Sequence, residues 1–320
     1  MRSRVSVPRN GSGRLLGIEI GGTKLQVVAG DRRGRLIARH RSTVRPEQGA
    51  EGIRSQIADL LSRASGGSSI GAIGVGFGGP VDWRSGRVSR SHQVSGWTDF
   101  ELGRWLNRWT GSPARVDNDA NVAALAEAVL GAGRGHDPVF YVTLGSGVGG
   151  GLVCGQQIYH GAIPGEAEIG HLRLNRRGTI VEDRCSGWAV NRRIRFLTRS
   201  RPRSFLARLI RGDPGHEARH LGAALSQRDP LAMRILDETA DALAFALSHA
   251  VHLTHPGIIV LGGGLSLVGE PLRRGVAGRL PGYLMAAFRP GPKVALSRLR
   301  DEAVPRGALL LAAAAARGAA

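Results

Sequence analysis

The sequence predicts an α/β protein built from two similar halves, and three observations carry that reading. Two apolar runs, residues 15–20 and 139–144, are each followed by a glycine-rich turn and a second apolar run, the pattern of a strand–turn–strand hairpin. Each half later holds another buried-strand run ending in glycine, residues 70–77 before Gly78-Gly79-Pro80 and residues 258–261 before Gly262-Gly263-Gly264. Stretches of helical spacing separate these runs, as in layered α/β folds. With 320 residues, 42% of them apolar, the chain has length for one large core or two ordinary ones.

In chain order, residues 1–14 form a basic tail without the apolar stretch of a secretory signal. Residues 15–20 and 25–29 flank Gly21-Gly22 as a hairpin, and a third strand follows. Residues 52–64 have helical spacing, 70–77 read as a buried strand, and 102–109 as a short amphipathic helix. RVDNDANVAALAE, residues 115–127, opens an alanine-rich helix, yet places four Asp or Asn within five positions where one would cap it. The second cycle follows: a strand at 139–144, a glycine turn at 145–151, a returning strand at 152–154, mostly helix over 204–254, and a strand at 258–261. The alanine-rich run 308–316 is shorter than the ~20 apolar residues a membrane helix needs, so no membrane association is expected.

Composition narrows the function. The only two cysteines, Cys154 and Cys185, make no metal-type spacing, which points to a reduced, cytoplasmic protein. The net charge is +19, but the basic residues are nearly all arginine, with Lys24 and Lys293 the only lysines. Clusters such as Arg192-Arg193 and residues 199–203 read as solvated faces that could also attract a polyanion. No helix-turn-helix or RNA-binding signature accompanies them, so no specific nucleic-acid role is expected.

Four motifs bear on chemistry. In IEIGGTK, Gly21 and Gly22 let the backbone approach a ligand, Thr23 adds a hydroxyl, Lys24 a cation, and Glu19 a carboxylate able to hold Mg²⁺ through water. The spacing does not fit the GxxxxGK[ST] phosphate loop. TLGSGVGGG matches GxGxxG at Gly145, Gly147 and Gly150, but a strand rather than a helix follows, which excludes a dinucleotide fingerprint and leaves a phosphate-cradling hairpin or a structural turn. HEARH, residues 216–220, has the zinc-protease spacing but follows Asp213-Pro214-Gly215 in polar, basic surroundings and would need a third ligand such as Glu238, on a helix that reads as structural. In the crowded Asp/Asn loop, Asp119 could cap the helix with its backbone while its carboxylate takes a proton from a substrate hydroxyl, with Asn118 holding neighbouring hydroxyls. Phosphoryl transfer needs little more than a positioned base, phosphate-gripping amides and Mg²⁺.

Six motifs in one order, GIEIGGTK, GFGGPVD, DNDANVAALAE, TLGSGVGGGLV, EIGH and IIVLGGGLS, make the chain similar to the ROK (repressor–ORF–kinase) sugar kinases from about residue 15 to the C-terminus. The resemblance implies the two-domain actin/hexokinase/Hsp70-like (ribonuclease H-like) fold with a cleft between domains. It implies an N-terminal domain at 15–117, a C-terminal domain at 118–302, and a last helix at 303–318 packing back on the first. Asp119 corresponds to the catalytic base and Asn118 to a sugar contact; Gly78 and Gly79 lie where the backbone approaches the sugar. Glu168 and His171 of EIGH, with Glu182, resemble further sugar-contacting residues. Gly21, Gly22, Thr23 and Lys24 correspond to the first phosphate turn, Gly145, Ser146, Gly147 and Gly149 to the second, and Gly262, Gly263 and Gly264 to residues near the adenosine. Mg-ATP, a sugar and a homodimer are the implied cofactor and partners.

The departures are equally specific. Many ROK members follow EIGH with CxCGxxGCxE, whose cysteines bind zinc with the EIGH histidine; here HLRLNRRGTIVEDRC is shorter and lacks them, so no structural zinc is expected and His171 needs another partner. Glu19 stands for the usual Asp, and His92-Gln93 for a common Pro-Asn. Only about 14 residues precede the first strand, too few for a repressor's helix-turn-helix. The expected activity is ATP-dependent phosphorylation of a hexose, most simply glucose at O6. The alternatives are a polyphosphate-dependent glucokinase and a sugar-binding regulator without catalysis.

Overall fold

The computed structural model describes residues 13–22, 24–89, 95–163, 165 and 167–318. The chain divides into two compact units. One comprises residues up to Ala126 with 160–166 and 301–320; the other comprises 127–159 and 167–300. The division after the first helical turns of the alanine-rich helix differs from the boundary at 117/118 read from the sequence.

The first unit is built on the hairpin of β1 (Arg14–Ile20) and β2 (Lys24–Gly30), which pair antiparallel, followed by β3 (Leu36–Thr43) and helix α1 (Gly49–Ser65). Then come β4 (Ile70–Phe77), the short pair β5 (Val81–Asp82) and β6 (Arg87–Val88), helix α2 (Leu102–Thr110), β7 (Ala114–Asn118) and helix α3 (Asp119–Leu130). The sheet order is β3-β2-β1-β4-β7, with β1, β4 and β7 parallel. Alternation along the strands gives the sheet two buried faces. Leu16, Ile18, Leu25, Val27, Ile73 and Val75 pack with Ile53, Ile57 and Leu61 of α1. Leu15, Val28 and Ala72 meet Leu309, Ala312 and Ala313 of the C-terminal helix, Ala303–Gly318. That helix lies close to the sheet because Gly17 and Gly74 stand beneath it; a Cβ on Gly74 would run into the Ala308 carbonyl.

The second unit repeats the plan. Strands β8 (Val139–Leu144), β9 (Val148–Cys154) and β10 (Gln157–Ile158) form the antiparallel part. Helices α4 (Glu182–Cys185), α5 (Gly187–Ser200), α6 (Phe205–Leu209), α7 (Leu221–Ser226) and α8 (Pro230–Thr254) follow. Next come β11 (Ile258–Gly262), α9 (Glu270–Tyr283) and β12 (Lys293–Leu296). The sheet order β10-β9-β8-β11-β12, with β8, β11 and β12 parallel, matches that of the first unit strand for strand. The 25-residue helix α8 starts where Asp229 accepts from the amides of Leu231 (2.8 Å) and Ala232 (3.0 Å) and Pro230 takes a position needing no donor. No helix among the described residues is long and apolar enough to cross a membrane.

The returning strand is longer than the sequence suggests. Gly149, Gly150 and Gly151 lie in β9 opposite Thr143, Val142 and Tyr141, so the turn itself is only residues 145–147. These glycines serve packing: a Cβ on Gly150 would stand 2.5 Å from the Ala167 carbonyl oxygen.

Candidate active site

In open α/β sheets ligands bind beyond the carboxyl ends of parallel strands. In the first unit the ends of β1, β4 and β7 bring together Gly21, Gly78-Gly79 and Asn118-Asp119. The Gly78 amide bonds to the Ile20 carbonyl (2.8 Å), and the Gly21 amide closes its own turn on the Lys24 carbonyl (2.9 Å). A Cβ on Gly78 would lie 3.3 Å from Asp119 Oδ2 and 3.5 Å from Gly21 Cα, so the carboxylate sits directly over a backbone kept bare of side chain. Gly22 follows Gly21 in this turn; Thr23 lies outside the described residues, as do His92 and Gln93.

The crowded loop divides its labour differently from the expectation that Asp119 caps the helix. Asn118 is the cap: its Oδ1 accepts from the amides of Ala120 (2.8 Å) and Asn121 (3.4 Å), and its Nδ2 donates to the Gly79 carbonyl (3.2 Å). Asp117, 4% exposed, is a purely internal carboxylate. Its Oδ1 accepts from the Asn118 amide (2.8 Å) and Asn121 Nδ2 (3.1 Å), and its Oδ2 meets His160 Nε2 at 2.6 Å. The Asp119 carboxylate is placed differently, over the bare backbone of Gly78.

Glu19 is half of an ion pair with Lys24 (3.3 Å), and the same oxygen accepts from buried Gln26. Lys24 is therefore charge-balanced by its neighbour and is not an isolated cation on the turn.

In the second unit the corresponding strand ends carry the other glycines. The Gly145 amide bonds to the Gly147 carbonyl (2.9 Å), and the Gly187 amide bonds to Gly145 (2.7 Å). The amides of Ser146 and Gly147 bond to no backbone carbonyl among the described residues. Glu182, at the start of α4, accepts from the Val148 amide (2.8 Å), and a Cβ on Gly147 would stand 2.5 Å from its Oε2. Gly170 packs on the Val148 carbonyl, so the Ile169–His171 turn joins the same cluster, leaving Glu168 and His171 exposed beside it. Of the Gly262–264 run, Gly262 packs against Tyr141, and Gly263 (φ 79°) abuts Leu144; only Gly264 faces open space. Sequence spacing treats the three alike, whereas packing assigns two of them to the fold.

The ROK family model matches residues 15–315. The chain belongs to the ROK family. It is 31% identical over 303 residues to a glucokinase of Thermotoga maritima, covering 92% of this chain and 96% of that one. A crystal structure of a ROK family glucokinase from Streptomyces griseus, in complex with glucose and AMPPNP, superposes with a TM-score of 0.82 at 31% identity over 94% of this chain and 99% of that one. A ROK family transcriptional regulator shares the fold, with a TM-score of 0.83 at 20% identity over 97% of this chain and 80% of that one. The actin/hexokinase-like two-domain architecture expected from the sequence is thus the architecture of this ROK chain.

Two further stretches of this ROK chain bear on metals. Glu217 of HEARH is buried and pairs with Arg195 (2.8 Å) and the Gly215 amide (3.1 Å). Burial alone pushes its carboxyl up, and these partners outweigh it, leaving the group below its ordinary range. His220 instead meets Asp213 (3.1 Å), so the HExxH spacing is spent on internal contacts. Cys185 is buried, and burial pushes its thiol up to about 12. No metal-holding group of three or more His, Cys, Asp or Glu occurs among the described residues.

Sequence reasoning missed His160 and Glu127. Glu127, fully buried, accepts from Ser297 Oγ (2.6 Å) and the amides of Ala132 (2.7 Å), Leu299 (2.8 Å) and Arg298 (3.3 Å). The hint for His160 was the surplus of Asp and Asn at 117–121, which calls for a partner from elsewhere.

Proposed function

We propose that the protein is an ATP-dependent glucokinase, transferring the γ-phosphate of ATP to O6 of glucose. The observation that carries this reading is the Asp119 carboxylate lying over bare backbone at Gly78, beside the Gly21 turn, in a chain 31% identical to glucokinases. In this reading Asp119 accepts the proton of the attacking hydroxyl, and Asn118 and the Gly78-Gly79 backbone hold the sugar. Glu168, His171 and Glu182 contact its remaining hydroxyls. The Ser146 and Gly147 amides, with the turn at Gly21, Gly22, Thr23 and Lys24, grip phosphate oxygens, and Gly264 leaves room for the nucleoside.

Glu19 fits magnesium held through water, because Gln26 and Lys24 engage only its Oε2 and leave Oε1 without a protein partner among the described residues. Magnesium held there with ATP would supply neutralisation of the phosphate charge. Shielding the reacting groups from water favours transfer to sugar over hydrolysis. A cytoplasmic homodimer without structural zinc completes the reading; sedimentation velocity checks the dimer and elemental metal content the zinc.

The test is ADP release in the presence of Mg-ATP across glucose, mannose, fructose and N-acetylhexosamines. Glucose is expected to give the highest kcat/KM. Turnover with inorganic polyphosphate in place of ATP would move the donor assignment, and silence with both donors would favour a sugar-binding regulator.

Gly147→Ala gives a sharper check on the second turn. Its Cβ would displace Glu182 from the Val148 amide, and kcat/KM for glucose is expected to fall by about 10²-fold. Circular dichroism melting is expected to change little, since the atom displaced is the end of a side chain. Unaltered steady-state kinetics would contradict the role given to this turn.

A further inference from the structure

We propose that His160 is a positioning residue that sets the base-bearing loop through Asp117, an inference that rests on the kinase reading of Asp119. His160 lies just beyond β10, in a segment that belongs to the first unit although second-unit residues precede and follow it. Its Nε2 meets Asp117 Oδ2 at 2.6 Å, and its ring lies flat on Trp83, with centroids 4.2 Å apart and planes 14° apart. Arg84 lies over Trp83 at 5.4 Å from the ring centroid. Asp82 fixes the turn that presents Trp83, accepting from the Arg84 amide (3.0 Å) and Ser85 Oγ (2.7 Å).

These contacts close a circuit. From Gly79 it passes to Asn118 Nδ2, along the chain to Asp117, across to His160, onto Trp83, and back along residues 79–83. Asp119 projects from the middle of this loop over Gly78. His160 is the member that joins the two arms from outside both.

The physical need is plain. A carboxylate as buried as Asp117 is costly unless both oxygens are paired. With His160 present, Oδ2 has a donor and Oδ1 is left to hold the Asn118 amide and the Asn121 side chain. Without it, the Asp117 carboxyl must rotate toward another donor or take up a proton. Either change loosens the Asn118 backbone amide or the Asn121 side chain, and with them the direction of Asp119, while the Asn118 side chain keeps its bonds to Gly79 and the helix amides. Misplacement of a base by a fraction of an ångström falls mainly on kcat, because the base acts in the transition state, whereas sugar binding is shared among many contacts.

Three substitutions separate this role from packing. His160→Phe keeps a ring on Trp83 and removes the donor; His160→Gln removes the ring and places an amide N–H where Nε2 stands; His160→Ala removes both. With glucose and Mg-ATP, the Ala and Phe variants are expected to lose about 10–10²-fold in kcat with KM for glucose within about threefold, and Gln to recover most of the loss. Phe at wild-type kcat with Gln impaired would overturn the inference, showing that only the ring matters. Amide hydrogen exchange of Asn118 and Asn121 is read on the same proteins, so failure of the kinase reading is distinguishable. Exchange is expected to quicken at least tenfold in Ala and Phe and to recover in Gln, and unchanged exchange in all three overturns the inference whatever the activity.

Discussion

Asp119→Asn is expected to lower glucose phosphorylation by about 10²–10⁴-fold, the range a general base contributes, while glucose affinity stays within about threefold. The substitution is nearly isosteric, so the room over Gly78 and the shape of the loop are retained. It also keeps the helix cap at Asn118, whose Oδ1 accepts from the Ala120 and Asn121 amides, separate from the substituted side chain. That separation makes the result interpretable: a loss of turnover cannot be blamed on a frayed helix. Turnover by coupled ADP release and glucose binding by calorimetry are the two readings required. Turnover equal to wild type would remove Asp119 from the role of base.

Glu127→Ala is expected to cost about 3–5 kcal/mol of stability, a large share of the ~5–15 kcal/mol that holds a typical domain. Three backbone amides and the Ser297 hydroxyl converge on this fully buried carboxylate. Truncation leaves them without an acceptor, at about 1–3 kcal/mol for each group that finds no other partner. Glu127→Gln keeps one acceptor oxygen and is expected to lose less than half as much. Urea denaturation of the three proteins measures the order, and an Ala variant within about 0.5 kcal/mol of wild type would show that the donors find other acceptors.

Much of the fold was legible because its signals are local. Gly21-Gly22 between two apolar runs specifies the β1–β2 hairpin, and the buried run ending at Gly78-Gly79 specifies β4 and the bare backbone at its end. The proposed site was legible as a set of motifs, since each glycine turn and the Asp/Asn loop lies within a few residues.

What was not legible depends on partners distant in the chain. Nothing near Glu127 in AALAE announces acceptors for residues 170 positions away. Asp117 and His160 are 43 residues apart, and only the surplus of carboxylates and amides at 117–121 hinted at an outside donor. Local pattern also could not divide adjacent glycines between ligand and fold. Gly149 lies in a strand, and Gly262 and Gly263 lie against Tyr141 and Leu144; only Gly264 of that run is open. Which side chain caps the helix was not legible for a related reason. Asn118 and Asp119 are both good caps by type, and the choice is made by the Gly79 carbonyl, which engages the Asn118 side chain from another strand end.

The product formed from glucose and Mg-ATP decides between phosphoryl transfer and sugar binding alone. Phosphorus and proton NMR of the reaction follow which hydroxyl gains the phosphate and whether ADP appears in equal amount. Glucose 6-phosphate and ADP forming one for one are the predicted result. Glucose that binds yet gains no phosphate from ATP, at enzyme concentrations sufficient for a single turnover, would contradict the account and make this chain a sugar-binding ROK protein of another kind.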